Sequence, residues 1–298
     1  MRVLEKNIIN VYGKKGKQWL AGLPKLIELM EIAHGLTNLR PVKNLSFNYV
    51  LSGLQGAQPI ILKLGPNIDG FKQEAEALKA FTGFGVVKVL AEGDAMLLLE
   101  RAVSGVSLKS YFPEKDNDAI RIACKCLKRL HQAPITQDHV FPHIENWLIA
   151  LDKHWAIPEN YLQKAKLLRN DLLNTSSASI LLHGDLHHDN MLQNGDDWIV
   201  IDPKGVIGEP AYEVAAFIRN PMPELLTHKD VSKIIDNRIT QFAKILKLSK
   251  QRIIAWCFVQ SVLAWAWTLE DNGDEAYFKA LTKLFSQDLN KSFFQPIK

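Results

Sequence analysis

The pattern of apolar and polar positions along this chain changes near residue 41 and again near residue 108, and each change predicts a different kind of element. Between residues 14 and 34, Trp19, Leu20, Leu23, Leu26, Ile27, Met30 and Ile32 recur at helical spacing. This predicts a leading helix or helix pair, with Pro24 as the expected break. After Pro41 the period shortens: Phe47, Tyr49 and Leu51 alternate with polar neighbours, Gly53 and Gly56 punctuate a turn, and residues 59–64 form an apolar run. That is a β-hairpin signal. Residues 67–81 return to helical spacing with Phe71, Ala75, Leu78 and Phe81 on one face, and the apolar runs 86–90 and 95–99 read as strands. Ser104 and Gly105 read as a turn or linker, and from Leu108 onward helical patterns dominate, at 117–131 and over 231–269.

A strand-rich part thus precedes a helix-rich part, and 298 residues exceed what one hydrophobic core usually organises. We divide the chain into an N-terminal unit, 1–101, and a C-terminal unit, 102–298. With 47% hydrophobic and 23% charged residues, the composition is that of an ordinary globular protein. The formal charge of +4 is small, and basic residues are interleaved with acids, so no nucleic-acid partner is expected. The most apolar stretch, 255–269, contains Gln260, Ser261 and Thr268; it reads as a buried helix, and no membrane association is expected. Cys124, Cys126 and Cys257 form no Cys-x-x-Cys pair, and the amino terminus lacks the ordered regions of a signal peptide, so a cytoplasmic protein with reduced thiols is expected.

One interruption of the helical part carries the chemistry. The apolar run 179–182 leads into His183-Gly184-Asp185-Leu186-His187-His188-Asp189-Asn190, six polar side chains in eight residues, from which folding alone gains nothing. A Gly195-Asp196-Asp197 turn and the run 198–201 then lead to Asp202. Phosphoryl transfer needs a carboxylate to orient the attacking hydroxyl and oxygen ligands to hold Mg²⁺ against nucleotide phosphates. Asp185 can supply the first, and Asn190 and Asp202 the second, because a hairpin returns Asp202 beside the loop.

These segments resemble the catalytic loop and metal-binding aspartate of the aminoglycoside phosphotransferases, relatives of the protein kinases. The string Ile201-Asp202-Pro203-Lys204-Gly205 to Gly208-Glu209-Pro210-Ala211-Tyr212-Glu213 is similar to the streptomycin 6-kinase and hydroxyurea phosphotransferase branch. The resemblance, which spans roughly residues 47–220, implies a two-lobed α+β fold, with a small antiparallel-sheet lobe before a larger helical lobe, and an ATP- and Mg²⁺-dependent kinase. It implies that Lys63 contacts the nucleotide phosphates and that Glu74 orients it, with Glu76 on the same helix as a rival. It also implies that the stretch 97–102, including Glu100 and Ala102, binds adenine through its backbone.

Two features depart from protein kinases: no Gly-x-Gly-x-x-Gly loop joins the first strands, and Pro203-Lys204 stands where Phe-Gly would follow the metal-binding aspartate. The second argues against a kinase switched by an activation loop. The implied acceptor is a small-molecule hydroxyl, of a streptomycin-like aminoglycoside or of hydroxyurea, with a housekeeping sugar or amino alcohol as the alternative. A cationic acceptor would need acids in the helical part, where Glu209, Glu213, Glu224, Glu270, Asp271, Asp274 and Glu275 are available, although solvated surface charge is the ordinary role of such residues. Trp256, Trp265 and Trp267 are expected in the core, with a substrate wall as the alternative. A metal-dependent hydrolase using His183, His187 and Asp185 is a reading from another class, and a nucleotide-binding module without catalysis is a third.

Overall fold

The chain opens with α1 (Arg2–His34), which is bent at Gly13, where φ is 54°. Pro24 lies in continuous helix, so the break falls elsewhere than expected: a proline removes one hydrogen bond, whereas the left-handed backbone at Gly13 ends the helical path. The structure, a computed structural model, describes residues 2–293 apart from Asn44, Gln137 and Ser177.

Five strands follow around one helix: β1 (Leu36–Pro41), β2 (Tyr49–Gln55), β3 (Gln58–Leu64), α2 (Ile68–Ala80), β4 (Val89–Gly93) and β5 (Met96–Glu100). They form an antiparallel sheet in the order β1-β2-β3-β5-β4. The edge strand β1 gives no alternation signal because only Leu36 in it is buried. The other strands divide their side chains by the two-residue period of the pleat. Leu51, Ile60, Leu62, Leu64, Met96 and Leu98 pack with Leu4, Ile8 and Leu23 of α1, whereas Leu97 and Leu99 belong to the cluster that holds Phe71, Ala75 and Leu78 of α2. Lys63, between Leu62 and Leu64, is thereby turned to the α2 side, where it is 8% exposed.

The helical lobe contains β6 (Ser104–Ser107), α3 (Asp116–Leu130), α4 (Ile144–Leu148), α5 (Glu159–Asn174), β7 (Ile180–Leu182), β8 (Met191–Asn194), β9 (Asp197–Val200) and β10 (Val206–Gly208). It ends with α6 (Pro210–Ile218), α7 (Glu224–Thr227), α8 (Val231–Leu246), α9 (Lys250–Glu270) and α10 (Ala276–Phe293). The segment read as a linker is β6, a short exposed strand joined irregularly to β8. The hairpin β8–β9 completes that sheet, and β10 pairs with β7. Helix α9 is long and apolar enough to cross a bilayer, but its residues 253–266 are all buried, with α5, α6, α8 and α10 around it. It is the axis of the lobe's core.

A fully buried arginine fixes the helices next to the polar loop. Arg238 of α8 makes two bonds to the Asp116 carboxylate, of 2.9 and 2.5 Å, and donates to the carbonyls of Phe217, Ile218 and Asn220. A buried charge is tolerated only when paired and hydrogen-bonded in this way. The end of α6 is thereby tied to α3 and α8.

Candidate active site

Strand β7 delivers the chain to His183, and hydrogen bonds from three directions set the loop that follows. Glu213 on α6, 2% exposed, accepts from the His183 N–H at 2.6 Å and the Gly184 N–H at 3.0 Å. Burial pushes its carboxyl up to about 7, against the pull of those N–H donors. His183 receives the Asp185 N–H on Nδ1 at 3.2 Å and lies 2.9 Å from the Ile201 carbonyl through Nε2. The proton is therefore on Nε2, and burial lowers the ring to about 4, so it stays neutral. The His183 carbonyl accepts from Lys204 N–H at 2.7 Å, which ties the loop to the segment after β9. Gly184 has φ 87°, and a Cβ there would come within 2.7 Å of the Trp147 ring.

Asn190 closes the loop by donating Nδ2 to the Asp185 carbonyl at 2.9 Å, while its own carbonyl accepts from Ile201 at 3.0 Å. The hairpin then places Asp202, at φ 60°, beneath β3. Lys63 meets Glu74 at 2.5 Å and Asp202 at 2.6 Å, and Lys204 meets the other Asp202 oxygen at 3.0 Å. Burial opposes the charges, but Lys63 and Lys204 hold Asp202 well below the usual carboxylate range, and Asp202 and Glu74 keep Lys63 protonated. Glu76, the rival on the same helix, is exposed and pairs with Lys79 at 2.9 Å.

Two cavities adjoin across the Asp202–Lys204 pair. The first, of about 700 Å³, is lined by Lys63, Glu74, Glu100, Ala102, Asn190 and Asp202. Val42, Leu45, Ser46 and Asn48 also line it, and the Ser46 carbonyl accepts from Asn7 of α1 at 3.1 Å. Glu100 turns its carboxylate to the Lys88 N–H at 2.9 Å. The second cavity, of about 560 Å³, holds Asp185 with Lys204, Arg219 and a set of aromatic rings. Asp185 lies 3.5 Å from Arg219 and 3.7 Å from His187. The sequence-predicted residues thus fall into two groups: Lys63, Glu74, Glu100, Ala102, Asn190 and Asp202 on the first cavity, and Asp185 on the second.

Sequence reasoning assigned no role to Arg219, Lys204 or Trp147, and it offered Glu213 only as a charge for substrate. A lone acid inside an apolar helix, as in Tyr212-Glu213-Val214, is the signal that could have marked Glu213 as a buried anchor. Of the seven acids considered for a cationic acceptor, only Asp271 lines the second cavity. Glu209 is committed to Arg252 and Trp256, Glu224 to Lys109, Glu270 to Lys153, Glu275 to Trp265 and Asp274 to the Ala276 N–H. Trp256 and Trp265 are core, as expected, whereas Trp267 is half-buried and forms part of the cavity wall.

The hydrolytic arrangement is not assembled. His183 faces the Ile201 carbonyl, and His188 is buried against Phe217 with ring centroids 3.9 Å apart. Among the described residues no group of three or more His, Cys, Asp or Glu side chains is placed to hold a metal ion.

The chain is similar to several known proteins. Streptomycin 3''-kinase of Klebsiella pneumoniae is 28% identical over 230 residues, which cover 75% of this chain and 85% of that protein. Streptomycin 6-kinase of Streptomyces griseus is 24% identical over 278 residues, 87% of each chain, and hydroxyurea phosphotransferase of Kitasatospora aureofaciens is 26% identical over 277 residues, 87% of this chain and 77% of the other. Among solved structures, aminoglycoside phosphotransferase APH(4)-Ia superposes with a TM-score of 0.68 at 15% identity, covering 89% of this chain and 98% of its own. Choline kinase LicA from Streptococcus pneumoniae gives 0.67 at 15% identity, covering 90% and 99%. The fold is the two-lobed, protein-kinase-like one. Because residues 38–272 match its model, the chain belongs to the aminoglycoside/hydroxyurea antibiotic resistance kinase family.

Proposed function

We propose that this chain transfers the γ-phosphoryl group of ATP to a hydroxyl of a small molecule, of the aminoglycoside or hydroxyurea kind that its relatives' names carry. The observation that carries the proposal is the row Glu74, Lys63, Asp202, Lys204, linked by contacts of 2.5 to 3.0 Å, which leads from the first cavity to the border of the second, where Asp185 stands. ATP occupies the first cavity, with the backbone at Glu100 and Ala102 against adenine and Lys63, aligned by Glu74, against the phosphates. The acceptor occupies the second. The lobes divide between residues 101 and 102, next to the adenine end.

The donor set fits magnesium. Asn190 commits its amide nitrogen to Asp185, and its Oδ1 accepts no hydrogen bond among the described residues; Asp202 is ionised. Both present hard oxygen ligands, so these two residues would hold the ion. When bound, magnesium neutralises charge on the phosphoryl oxygens. Asp185 orients the acceptor hydroxyl and takes its proton as the oxygen bonds to the γ-phosphorus and the bond to the bridging oxygen of ADP breaks. Glu213 and Asn190 keep the Asp185 backbone in place.

Asp185→Asn tests the assignment. It removes the proton acceptor and leaves the groups around ATP, so turnover should fall by about 10² to 10⁴ while ATP affinity stays near normal. Turnover close to that of the unaltered enzyme would remove Asp185 from this role.

A further inference from the structure

We infer that Lys204 is a catalytic cation that changes partner during the reaction: it holds Asp202 in the free chain and turns to the phosphoryl group in transfer once Asp202 takes up a metal ion. The inference rests on the kinase reading above and adds a residue to it. A third cavity, of about 340 Å³, joins the other two. It shares Asn48, Glu74 and Asp202 with the first and Trp147 and Lys204 with the second, so a group that passes from ATP to an acceptor beside Asp185 crosses it. The backbone of Lys204 is fixed there from both lobes. Its N–H donates to the His183 carbonyl at 2.7 Å, and its carbonyl accepts from Gln73 Nε2 of α2 at 2.9 Å. Gly205, at φ 66°, packs so closely that a Cβ would come within 2.9 Å of Ala77 and 2.7 Å of the Phe141 ring. Movement is left to the Lys204 side chain, a flexible four-carbon stem that is 42% exposed.

Asp202 decides which cation moves. Its Oδ1 holds Lys63 at 2.6 Å and its Oδ2 holds Lys204 at 3.0 Å. A divalent ion on this carboxylate would stand beside both lysines as a like charge, and the lysine held less firmly gives way. Lys63 is buried and could leave only by stranding Glu74, its buried partner at 2.5 Å. Lys204 has no second acid among the described residues, and its pair with Asp202 is partly open to solvent, where an ion pair contributes little. Lys204 therefore leaves, and the passage is where its charge gains most. Its Nζ donates N–H bonds to oxygens of the γ-phosphoryl group while the acceptor oxygen bonds to phosphorus and the bond to the bridging oxygen of ADP breaks. Lys204 forms no covalent bond and keeps its protons; its charge offsets that of the phosphoryl group in transit.

Lys204→Met, which removes the charge and keeps the length, should move two readouts in opposite directions. With AMP-PNP titrated by calorimetry into the full chain over a range of magnesium concentrations, the concentration that half-saturates binding should fall by about threefold to tenfold, because Asp202 loses a competing cation. With streptomycin or hydroxyurea as acceptor probe, kcat should fall by about a hundredfold while KM for ATP stays within about threefold. Lys204→Arg should restore the magnesium response and most of kcat, which a loss of packing would not allow. Should Lys204→Met fail to fold, judged by its melting temperature, Lys204→Gln is the replacement. An unchanged or raised magnesium requirement, or a kcat within twofold of the unaltered enzyme, would overturn the inference. The magnesium titration needs no acceptor, so it decides the matter even if neither probe is turned over. Binding of AMP-PNP with the same magnesium response in both chains sinks the inference alone; failure of the unaltered chain to bind AMP-PNP sinks the kinase reading.

Discussion

The two cavities on either side of the Asp202–Lys204 pair are built by different means. The first takes its charged side chains from β3, α2 and the end of the β8–β9 hairpin, and binds them into one chain of contacts no longer than 3.0 Å. The second is walled by rings from α4, α6, α9 and α10, with centroids 5.5 to 6.5 Å apart, and Asp271 is its one acid without a cationic partner among the described residues. In the proposed reading the triphosphate is the same in every reaction, so the first cavity can be rigid and charge-matched, whereas the acceptor varies from enzyme to enzyme, so the second can be a surface of exchangeable ring faces. Substitutions should therefore act steeply on the first side and by degrees on the second.

The largest effect is expected at Asp202. Asp202→Ala removes a proposed magnesium ligand and leaves Lys63 and Lys204 without their shared partner, so turnover should drop by about a thousandfold or more. ATP binding should also stop responding to magnesium. If titrations of ATP with and without Mg²⁺ gave the same affinities in the variant as in the unaltered chain, the first cavity would not be organised around a metal-bound phosphate.

A smaller effect separates two acids one helical half-turn apart. Glu74→Gln leaves Lys63 with Asp202 alone and loses a charge-assisted bond, which corresponds to about a tenfold to hundredfold fall in kcat/KM, expressed mainly in KM for ATP. Glu76→Gln removes an exposed contact with Lys79 and should change nothing beyond twofold. Equal losses in both variants would break the claim that the first cavity depends on one continuous row of charges.

The same contrast explains what the sequence reveals. The octet 183–190, Asp202 and Lys63 are legible because each lies at the end of an apolar run, where a polar cluster gains nothing from folding. The partner of Lys63 is ambiguous in sequence, since Glu74 and Glu76 share a helix; only the burial of α2 against the core separates them. The edge strand β1 and the short strand β6 leave no alternation to read, and the break of α1 at Gly13 is hidden behind the more conspicuous Pro24. The walls of the second cavity are hard to read for another reason, although the sequence leaves Trp267 open to a wall role. Trp147, Trp267 and Tyr277 are separated by up to 130 positions in the chain, and each alone looks like helix core.

The smallest effect concerns Glu213, which holds the loop between the two cavities. Its carboxyl, pushed up to about 7 by burial, keeps a proton in the folded chain between roughly pH 4.5 and 7 that the unfolded chain gives up, so its contribution to stability is lost as pH rises through 7. His131 and His183 act in the opposite sense: burial lowers both to about 4, the unfolded chain takes up protons near 6.5, and stability is lost as pH falls below that value. The histidines outnumber the acid, so the protein should weaken on acidification. Glu213→Gln removes the opposing group, and urea unfolding from pH 6.5 down to 5 should show stability falling more steeply than in the unaltered chain, by at most about 1.4 kcal/mol per pH unit. Parallel curves would mean that the N–H donors of His183, Gly184 and Leu186 outweigh burial. Glu213 would then be an ionised anchor, and charge-assisted bonds from backbone N–H groups would hold the loop carrying Asp185, in contrast to the paired charges of the first cavity.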